Sequence, residues 1–349
     1  MKNKLGSIEF FRIFLTVCVI WGHYAPDWLS ETLLGSSNIF FIIAGYFLYF
    51  GAQKAAKDKS TIWGYAKKRY VRIMPPALFV IALALCFGMM DWGHLPAYLT
   101  MSANIWIGSK DVTPMWYPFA LFWAQIAAIL VLVHFPKKIS LWMLAIVGAL
   151  AGTALITAGM LHKPFTLMFG LVRSGFLRGV FGLVIGVMVA KATEVWRIPE
   201  NTNRRQVFGA AELALFAVFI VLYVGGFGRS NQPVLLGIML IFAVLLFLLV
   251  QSAGAISQRL NKIGTLAKIS VYAYPVFILQ GVAFYPMRRM VESFSDWLRM
   301  ITVLAAPIAL GVFYVHCVAP VFRYFRVKCE SIGLFEKILA FVKKCFLRQ

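Results

Sequence analysis

Long apolar runs recur along the chain and are separated by short polar segments. Each run is close to the about 20 residues that an α-helix needs to cross a bilayer. The pattern therefore predicts an all-α polytopic membrane protein with about ten transmembrane helices. The predicted spans lie near residues 8–25, 33–52, 74–90, 116–134, 140–160, 175–192, 207–227, 233–251, 268–286 and 300–320.

Composition supports a membrane protein without a sizeable soluble domain. Hydrophobic residues make up 61% of the 349 positions and charged residues only 13%, whereas soluble proteins carry about 25% charged residues. A Lys pair precedes the first apolar run, but no small-residue cleavage site follows it, so we expect this run to be retained as a helix. Residues 1–325 are therefore predicted to form one membrane domain without internal repeats.

The net charge of +21 could suggest a nucleic-acid partner, but the positions of the charges favour membrane topology. With the N-terminus inside, most lysines and arginines fall in segments on the inner side, as the positive-inside rule requires. We therefore expect both termini to be cytoplasmic, no nucleic-acid partner, and a multi-pass protein of a bacterial-type inner (plasma) membrane.

The C-terminal residues 326–349 carry a separate pattern. Within SIGLFEKILAFVKKCFLRQ the apolar residues recur at helical spacing, and lysines occupy much of the other side. Such a helix lies on a membrane surface. The pattern predicts an amphipathic cytoplasmic tail that contacts membrane lipids.

The five cysteines are scattered along the chain and form no CxxC pair. Neither a disulfide framework nor a metal site is expected from such spacing. The cysteines are Cys18, Cys86, Cys317, Cys329 and Cys345.

The first apolar run, FFRIFLTVCVIWGHY, contains an arginine and a histidine. Arg12 and His23 are separated by about 16 Å along a helix and by about 20° around it, so they share one face. Glu9 lies one turn before Arg12 and is placed to pair with it. Arg12 or His23 alone could simply extend its side chain to a lipid headgroup region. The presence of both on one face of the helix favours a polar pathway through the bundle.

These residues carry a resemblance to a known family. The segment IEFFRIFLTVCVIWGHY resembles the first-helix signature of the acyltransferase 3 family of integral membrane acyltransferases: an acidic residue, Arg, ten residues and His. Glu9, Arg12 and His23 occupy those positions, and the resemblance implies that these three are the catalytic residues. Further similar motifs are Ala44-Gly45-Tyr46 in place of Ser-Gly-Phe, Arg69-x-x-Arg72 followed by Pro75, Trp116-Tyr117, and Arg178-Gly179. Phe277 stands where the family has a late histidine.

The resemblance implies transfer of an acyl group, most commonly acetyl from acetyl-CoA, to a hydroxyl of an envelope glycan or lipid-linked sugar. Arg69, Arg72 and Lys68, in the predicted inside loop, would bind the CoA phosphates, since Arg suits phosphate geometry. The alternative is a basic cytoplasmic loop without a ligand. Arg12, deeper on the same side, could meet a phosphate or the pantetheine amides. No metal cofactor is expected.

On the outer side the resemblance makes His23 the best general base, or an acyl relay. Asp27 could orient its ring, although Pro26 favours a surface aspartate. Arg173 and Arg178 could hold an anionic glycan or stabilise a developing oxyanion. Alternatively, both arginines could simply reach the membrane–water interface without binding a ligand. The aromatic residues Trp116 and Tyr117 could stack on a sugar or belong to an aromatic belt.

The remaining histidines are weaker candidates. His94, His134 and His162 fall in loops or at a helix end, and His316 is a modest intramembrane candidate. Two other functions stay open: a transporter or flippase for a lipid-linked or anionic glycan, and a sensor without catalysis. An acyltransferase requires a path from Arg69 and Arg72 past Arg12 to His23. Without a fused outer domain, a separate extracytoplasmic partner could complete the transfer.

Overall fold

The computed structural model describes residues 5–24, 33, 35–57, 62–107, 114–198, 202–225 and 231–331. Among these residues, ten helices are long and apolar enough to cross a membrane. This finding confirms the predicted all-α, multi-pass architecture. In chain order the helices are α1 Gly6–Tyr24, α2 Ser36–Lys57, α3 Ile62–Cys86, α4 Leu95–Leu99, α5 Trp116–His134, α6 Lys137–Thr157, α7 Ser174–Val195, α8 Thr202–Val224, α9 Gln232–Val250, α10 Ala255–Lys262, α11 Gly264–Phe284, α12 Arg288–Glu292, α13 Asp296–Phe313 and α14 Ala319–Ser331.

Several short elements supplement the spanning helices. The segments Trp92–His94 and Tyr285–Met287 are 3₁₀ turns, and Tyr314–Val318 is a π-helical turn that joins α13 to α14. Between α6 and α7, β1 (Leu167–Met168) pairs antiparallel with β2 (Val172–Arg173). This hairpin was not predicted from the sequence.

The third span begins earlier than the sequence predicted. The prediction started it near residue 74 and left Lys68, Arg69 and Arg72 in a loop, but α3 starts at Ile62 and carries all three. Pro75 and Pro76 lie inside the helix, although proline usually marks a helix start. Packing with neighbouring helices makes such prolines tolerable in membrane helices. The basic residues therefore sit on a regular helical surface rather than on a loop.

Among the described helices, α2 and α7 make the most extensive contact. A Cβ added at Gly45 would overlap the Leu183 carbonyl, and one at Gly186 would overlap the Ile42 carbonyl. Small residues that let two backbones approach in this way are typical of membrane helix interfaces. The contact holds the first turn of α2 beside the first turns of α7.

The apolar core consists of two main clusters that meet at α1 and α2. One cluster joins α1 and α2 to α6, α7, α8 and α9. The other joins α3, α5 and α11. Phe40 of α2 packs against both. Polar side chains placed on α1 and α2 therefore lie at the junction of the two halves.

The start of α1 is held by the short helix α10. Asn261 Oδ1 accepts a hydrogen bond from the Ser7 backbone N–H at 3.0 Å, which satisfies a donor that the helix itself leaves free. Glu212 in turn caps α10, because its buried carboxylate accepts from Gly254 N, Ser257 N and Ser257 Oγ. These caps fix the turn of α1 that carries Glu9. Residues 332–349 lie outside the described residues, so the tail at 326–349 stays a prediction.

Candidate functional site

Helix α1 carries Glu9 and Arg12 near its start. Glu9 is buried, and both of its carboxylate oxygens lie 3.3 Å from Arg12 Nη1. The guanidinium also lies over the Phe47 ring, 5.2 Å from its centroid. A carboxylate in the first helical turn also interacts favourably with the helix dipole. Glu9 therefore holds Arg12 against α2.

The basic side chains of α3 gather near this ion pair. Lys68 and Arg72 are exposed and Arg69 is half-buried. Arg69 Nε donates to Tyr65 Oη at 3.0 Å. The charge of Arg72 interacts with those of Arg69, Arg12 and Glu9. We call Arg12, Lys68, Arg69 and Arg72 the basic cluster; the charges of Arg12 and Arg69 act on Arg72, and Lys68 lies one helical turn before Arg72 on α3.

At the other end of α1, a cavity of about 210 Å³ opens beside His23. Residues from five helices and three loops line it: Val19, Gly22, His23, Leu33, Gly35, Ser36, Ser37, Pro114, Trp116, His162, Pro164, Phe165, Arg178 and Phe277. Gly35 has a φ of +106°, a conformation that glycine adopts readily, and it leads directly into the first turn of α2. We call this space the outer cavity, after the orientation that the charge pattern predicts. Three predicted site residues, His23, Trp116 and Arg178, share it.

Arg178 is a buried cation, only 2% exposed. Its Nε donates to Asn38 Oδ1 at 2.9 Å and its Nη2 donates to Ser37 Oγ at 2.7 Å. The guanidinium also lies 5.0 Å from the centroid of a Trp116 ring. No described carboxylate forms an ion pair with it. A buried charge without a counter-ion is costly, and a site that binds an anion is one reason to keep it.

His23 lines the outer cavity with an accessible ring. The ring packs near Tyr24, with 5.8 Å between centroids, and makes no hydrogen bond to a described residue. A neutral imidazole with both nitrogens available can accept a proton from a bound hydroxyl. Asp27, which the sequence suggested as a partner, lies outside the described residues.

An aromatic layer separates the outer cavity from the basic cluster. Tyr117 packs against Phe41 and Phe277, with ring centroids 4.7 Å and 5.2 Å away, and Phe40 contacts Phe277 at 5.7 Å. Tyr117 also lies within electrostatic range of Arg12. Tyr117 thus belongs to the layer between the two regions rather than to the cavity wall, where Trp116 stands.

Two other predicted residues lie away from the cavity wall. Arg173, in β2, donates through Nη1 to the Phe165 carbonyl, so it braces the loop that supplies Phe165 to the cavity. His316 lies in the π-helical turn, and its Nε2 is 2.8 Å from Tyr272 Oη on an exposed surface. Neither side chain lines the outer cavity.

Sequence reasoning underrated His162. It belongs to the loop before β1 and lines the outer cavity. Its Nδ1 lies 3.0 Å from Gln232 Nε2, at the start of α9. Burial, and then the positive charges of Lys163 and Arg178, lower the pKa of His162 below its ordinary value. A single histidine in a loop gives no signal in sequence, because its partners come from distant segments.

Comparison with known proteins adds one positive finding. The sequence model of the acyltransferase 3 family, described as an acyltransferase domain, matches residues 5–319. That range includes every residue of the basic cluster and of the outer cavity. No curated protein and no solved structure matches the chain.

Proposed function

Because the chain belongs to the acyltransferase 3 family and is a multi-pass membrane acyltransferase, we propose that it transfers an acetyl group from cytosolic acetyl-CoA to a hydroxyl of an envelope glycan or lipid-linked sugar. The observation that carries this proposal is the arrangement on α1. One helix presents Arg12 to the basic cluster and His23 to the outer cavity. Donor and acceptor therefore have separate sites on the two sides of one membrane bundle.

The basic cluster is the proposed donor site. CoA carries several phosphate charges, and Lys68, Arg69 and Arg72 offer charged donors on an accessible surface of α3. Arginine binds phosphate through a planar fork, often with two parallel hydrogen bonds. Arg12, held by Glu9, lies at the inner edge of the cluster. In this scheme the basic cluster faces the cytosol, and the thioester arm extends past Arg12 and the aromatic layer toward His23.

The chemical step follows from the groups around the outer cavity. The acceptor hydroxyl gives its proton to the free nitrogen of His23 while its oxygen attacks the thioester carbonyl carbon. A C–O bond forms, and the negative charge that develops on the carbonyl oxygen lies near Arg178. The C–S bond then breaks, and the CoA thiolate leaves with a proton returned from His23. The products are the acetyl ester and free CoA.

The proposal is tested with the purified chain in detergent by measuring acetyl-CoA binding and acetyl-CoA hydrolysis or exchange. We expect His23→Ala to keep CoA binding and to lower turnover by about 10²- to 10⁴-fold, the range for a lost general base. Arg72→Ala should weaken binding instead. His94→Ala is the matched control, because His94 lies outside the cavity. If the wild-type chain does not bind acetyl-CoA, the acyltransferase mechanism is wrong and a glycan transport path becomes the better hypothesis.

A further inference from the structure

A chain of hydrogen bonds connects Arg178 to His162 through the wall of the outer cavity. Arg178 Nε donates to Asn38 Oδ1, and Asn38 Nδ2 donates to the Leu161 carbonyl at 3.0 Å. The Leu161 backbone N–H then donates to Gln232 Oε1 at 2.9 Å. Gln232 Nε2 lies 3.0 Å from His162 Nδ1. Four chain segments that are far apart in sequence thus meet in one connected network.

Chemistry fixes the direction of every bond in this network. Arginine and the backbone N–H are donors only, so Asn38 Oδ1 and Gln232 Oε1 must accept. The amide nitrogen of Gln232 therefore faces His162 and donates to Nδ1. A nitrogen that accepts carries no proton, which leaves the proton of the neutral His162 ring on Nε2.

The remaining ring nitrogen of His162 is free to act in the cavity. His162 lines the cavity and is half-buried, and its Nε2 makes no hydrogen bond to a described residue. Among the described residues, the charged or titratable groups around it are Lys163, Arg178 and His23. The lowered pKa of His162 keeps the ring neutral near pH 7. The ring thus presents an N–H donor in a fixed orientation.

Arg178 faces the same cavity with a donor of its own. Its Nε and Nη2 are engaged by Asn38 and Ser37, whereas Nη1 makes no hydrogen bond to a described residue. Both side chains line the outer cavity, and the charge of Arg178 acts on His162. A buried cation and a neutral N–H donor in one cavity suit an oxygen that carries negative charge.

We propose that His162 is an acceptor-binding residue whose Nε2–H binds, together with one N–H of Arg178 Nη1, an anionic oxygen of the acceptor. The second N–H of Nη1 is left for the oxyanion of the chemical step. That oxygen belongs to a sugar carboxylate or to the phosphate of a lipid-linked sugar. This inference rests on the function proposed above and specifies the acceptor as an anionic sugar. The two histidines of the cavity then have different tasks: His162 donates to the acceptor, and His23 removes its proton.

The first test measures the protonation state of His162 directly. The chain contains five histidines, so ¹⁵N-histidine labelling of the full-length protein in detergent gives few signals, and His162→Asn assigns the one of interest. We expect a neutral ring with the proton on Nε2 from pH 7 to pH 8. Gln232→Glu should move the proton to Nδ1 or give an imidazolium, because a carboxylate only accepts. A wild-type ring that is protonated on Nδ1 would overturn the proposal.

The second test follows the His162 signal during titration with glucuronate, glucose 1-phosphate and glucose. We expect one of the two anionic sugars to bind and glucose not to bind. Binding of glucuronate would identify the anionic group of the acceptor as a carboxylate, and binding of glucose 1-phosphate would identify it as a phosphate. His162→Asn should weaken binding about ten-fold, the effect of one lost hydrogen bond to a charged group, when binding is followed by intrinsic tryptophan fluorescence. His162→Gln should restore most of it, because its amide nitrogen lies near the Nε2 position.

His94→Asn, the same change outside the cavity, is the matched control and should bind as the wild type does. Equal binding of glucose and glucuronate, no binding of either anionic probe, or wild-type affinity in His162→Asn would each overturn the inference. Acetyl-CoA hydrolysis is measured in parallel. A chain that binds the anionic sugar but neither binds nor hydrolyses acetyl-CoA would refute the proposed function and leave the anion site in place.

Discussion

The two polar regions of this protein hold arginines in opposite environments. In the basic cluster, Arg72 is exposed and Arg12 is partly exposed with Glu9 as its counter-ion. In the outer cavity, Arg178 is 2% exposed and has only neutral partners among the described residues: Ser37, Asn38 and the ring of Trp116.

The difference shows which cations carry information about function. Exposed cations on one side of a membrane bundle cost little folding free energy, and the excess of Lys and Arg on the inner side of membrane proteins is enough to explain them. A buried cation that lacks a carboxylate partner costs several kcal/mol even after its hydrogen bonds are formed. Arg178 therefore argues for a ligand more strongly than any member of the basic cluster does.

The largest expected effect comes from removing the buried charge. Arg178→Met should lower acetyl-CoA turnover by about 10²- to 10³-fold, as the loss of one transition-state donor does, while acetyl-CoA binding stays near the wild-type value. Arg178→Lys keeps the charge but not the planar fork, so its acetyl-CoA turnover should lie between those of the wild type and Arg178→Met. Turnover and binding by the purified variants check this expectation.

Arg288→Met is the control for that change, because Arg288 is exposed and pairs with Glu292 at 2.9 Å and with no other carboxylate in the described part of the chain. Arg288→Met should keep the wild-type acetyl-CoA turnover and binding. Intact acetyl-CoA binding shows that Arg178→Met is folded. Wild-type turnover in that variant would mean that the buried arginine serves stability alone, and the contrast between the two regions would disappear.

A smaller effect should follow from breaking the ion pair on α1. Glu9→Gln leaves Arg12 without its counter-ion and should reduce the free energy of unfolding by about 1–3 kcal/mol, the usual effect of one hydrogen bond to a charged group. Acetyl-CoA binding should not weaken, because a negative charge near the phosphates is removed. Thermal unfolding in detergent and a binding titration measure both quantities.

The exposed pair Arg288–Glu292 provides the comparison for this variant. Glu292→Gln should change the free energy of unfolding by less than about 1 kcal/mol, because exposed ion pairs contribute little to stability. An unfolding temperature of Glu9→Gln that equals the wild-type value would show that Arg12 needs no counter-ion. Weaker acetyl-CoA binding by Glu9→Gln would instead show that Glu9 orients Arg12 for the donor.

The smallest expected effect is a difference in salt dependence. Charges of the basic cluster are accessible and are screened within about 8 Å at physiological ionic strength, so acetyl-CoA binding should weaken several-fold between low and physiological salt. Binding of an anionic sugar at buried Arg178 should change less. The double change Lys68→Ala and Arg72→Ala should flatten the salt dependence of acetyl-CoA binding. Equal salt slopes for both ligands would contradict the assignment of the two sites.

Much of the architecture was predictable because bilayer thickness imposes a length on every spanning helix. Ten apolar runs predicted the ten spans, and Arg12 and His23 could be placed on one face of α1 by helical geometry alone. The start of α3 was not predictable, since Pro75 and Pro76 suggested a boundary at which the helix in fact continues. The hairpin of β1 and β2 is too short to leave a pattern in the sequence.

The sequence by itself therefore determined the membrane architecture, the polar face of α1 and the resemblance to the acyltransferase 3 family. These properties depend on local spacing, hydropathy and motif order, which are read along one chain segment at a time. Only the tertiary structure decided that Arg178 is buried with no carboxylate partner among the described residues, that Tyr117 stands in the aromatic layer, and that His162 joins the cavity. Those facts depend on contacts between distant segments, from Asn38 to Gln232, and such contacts exist only once the helices pack.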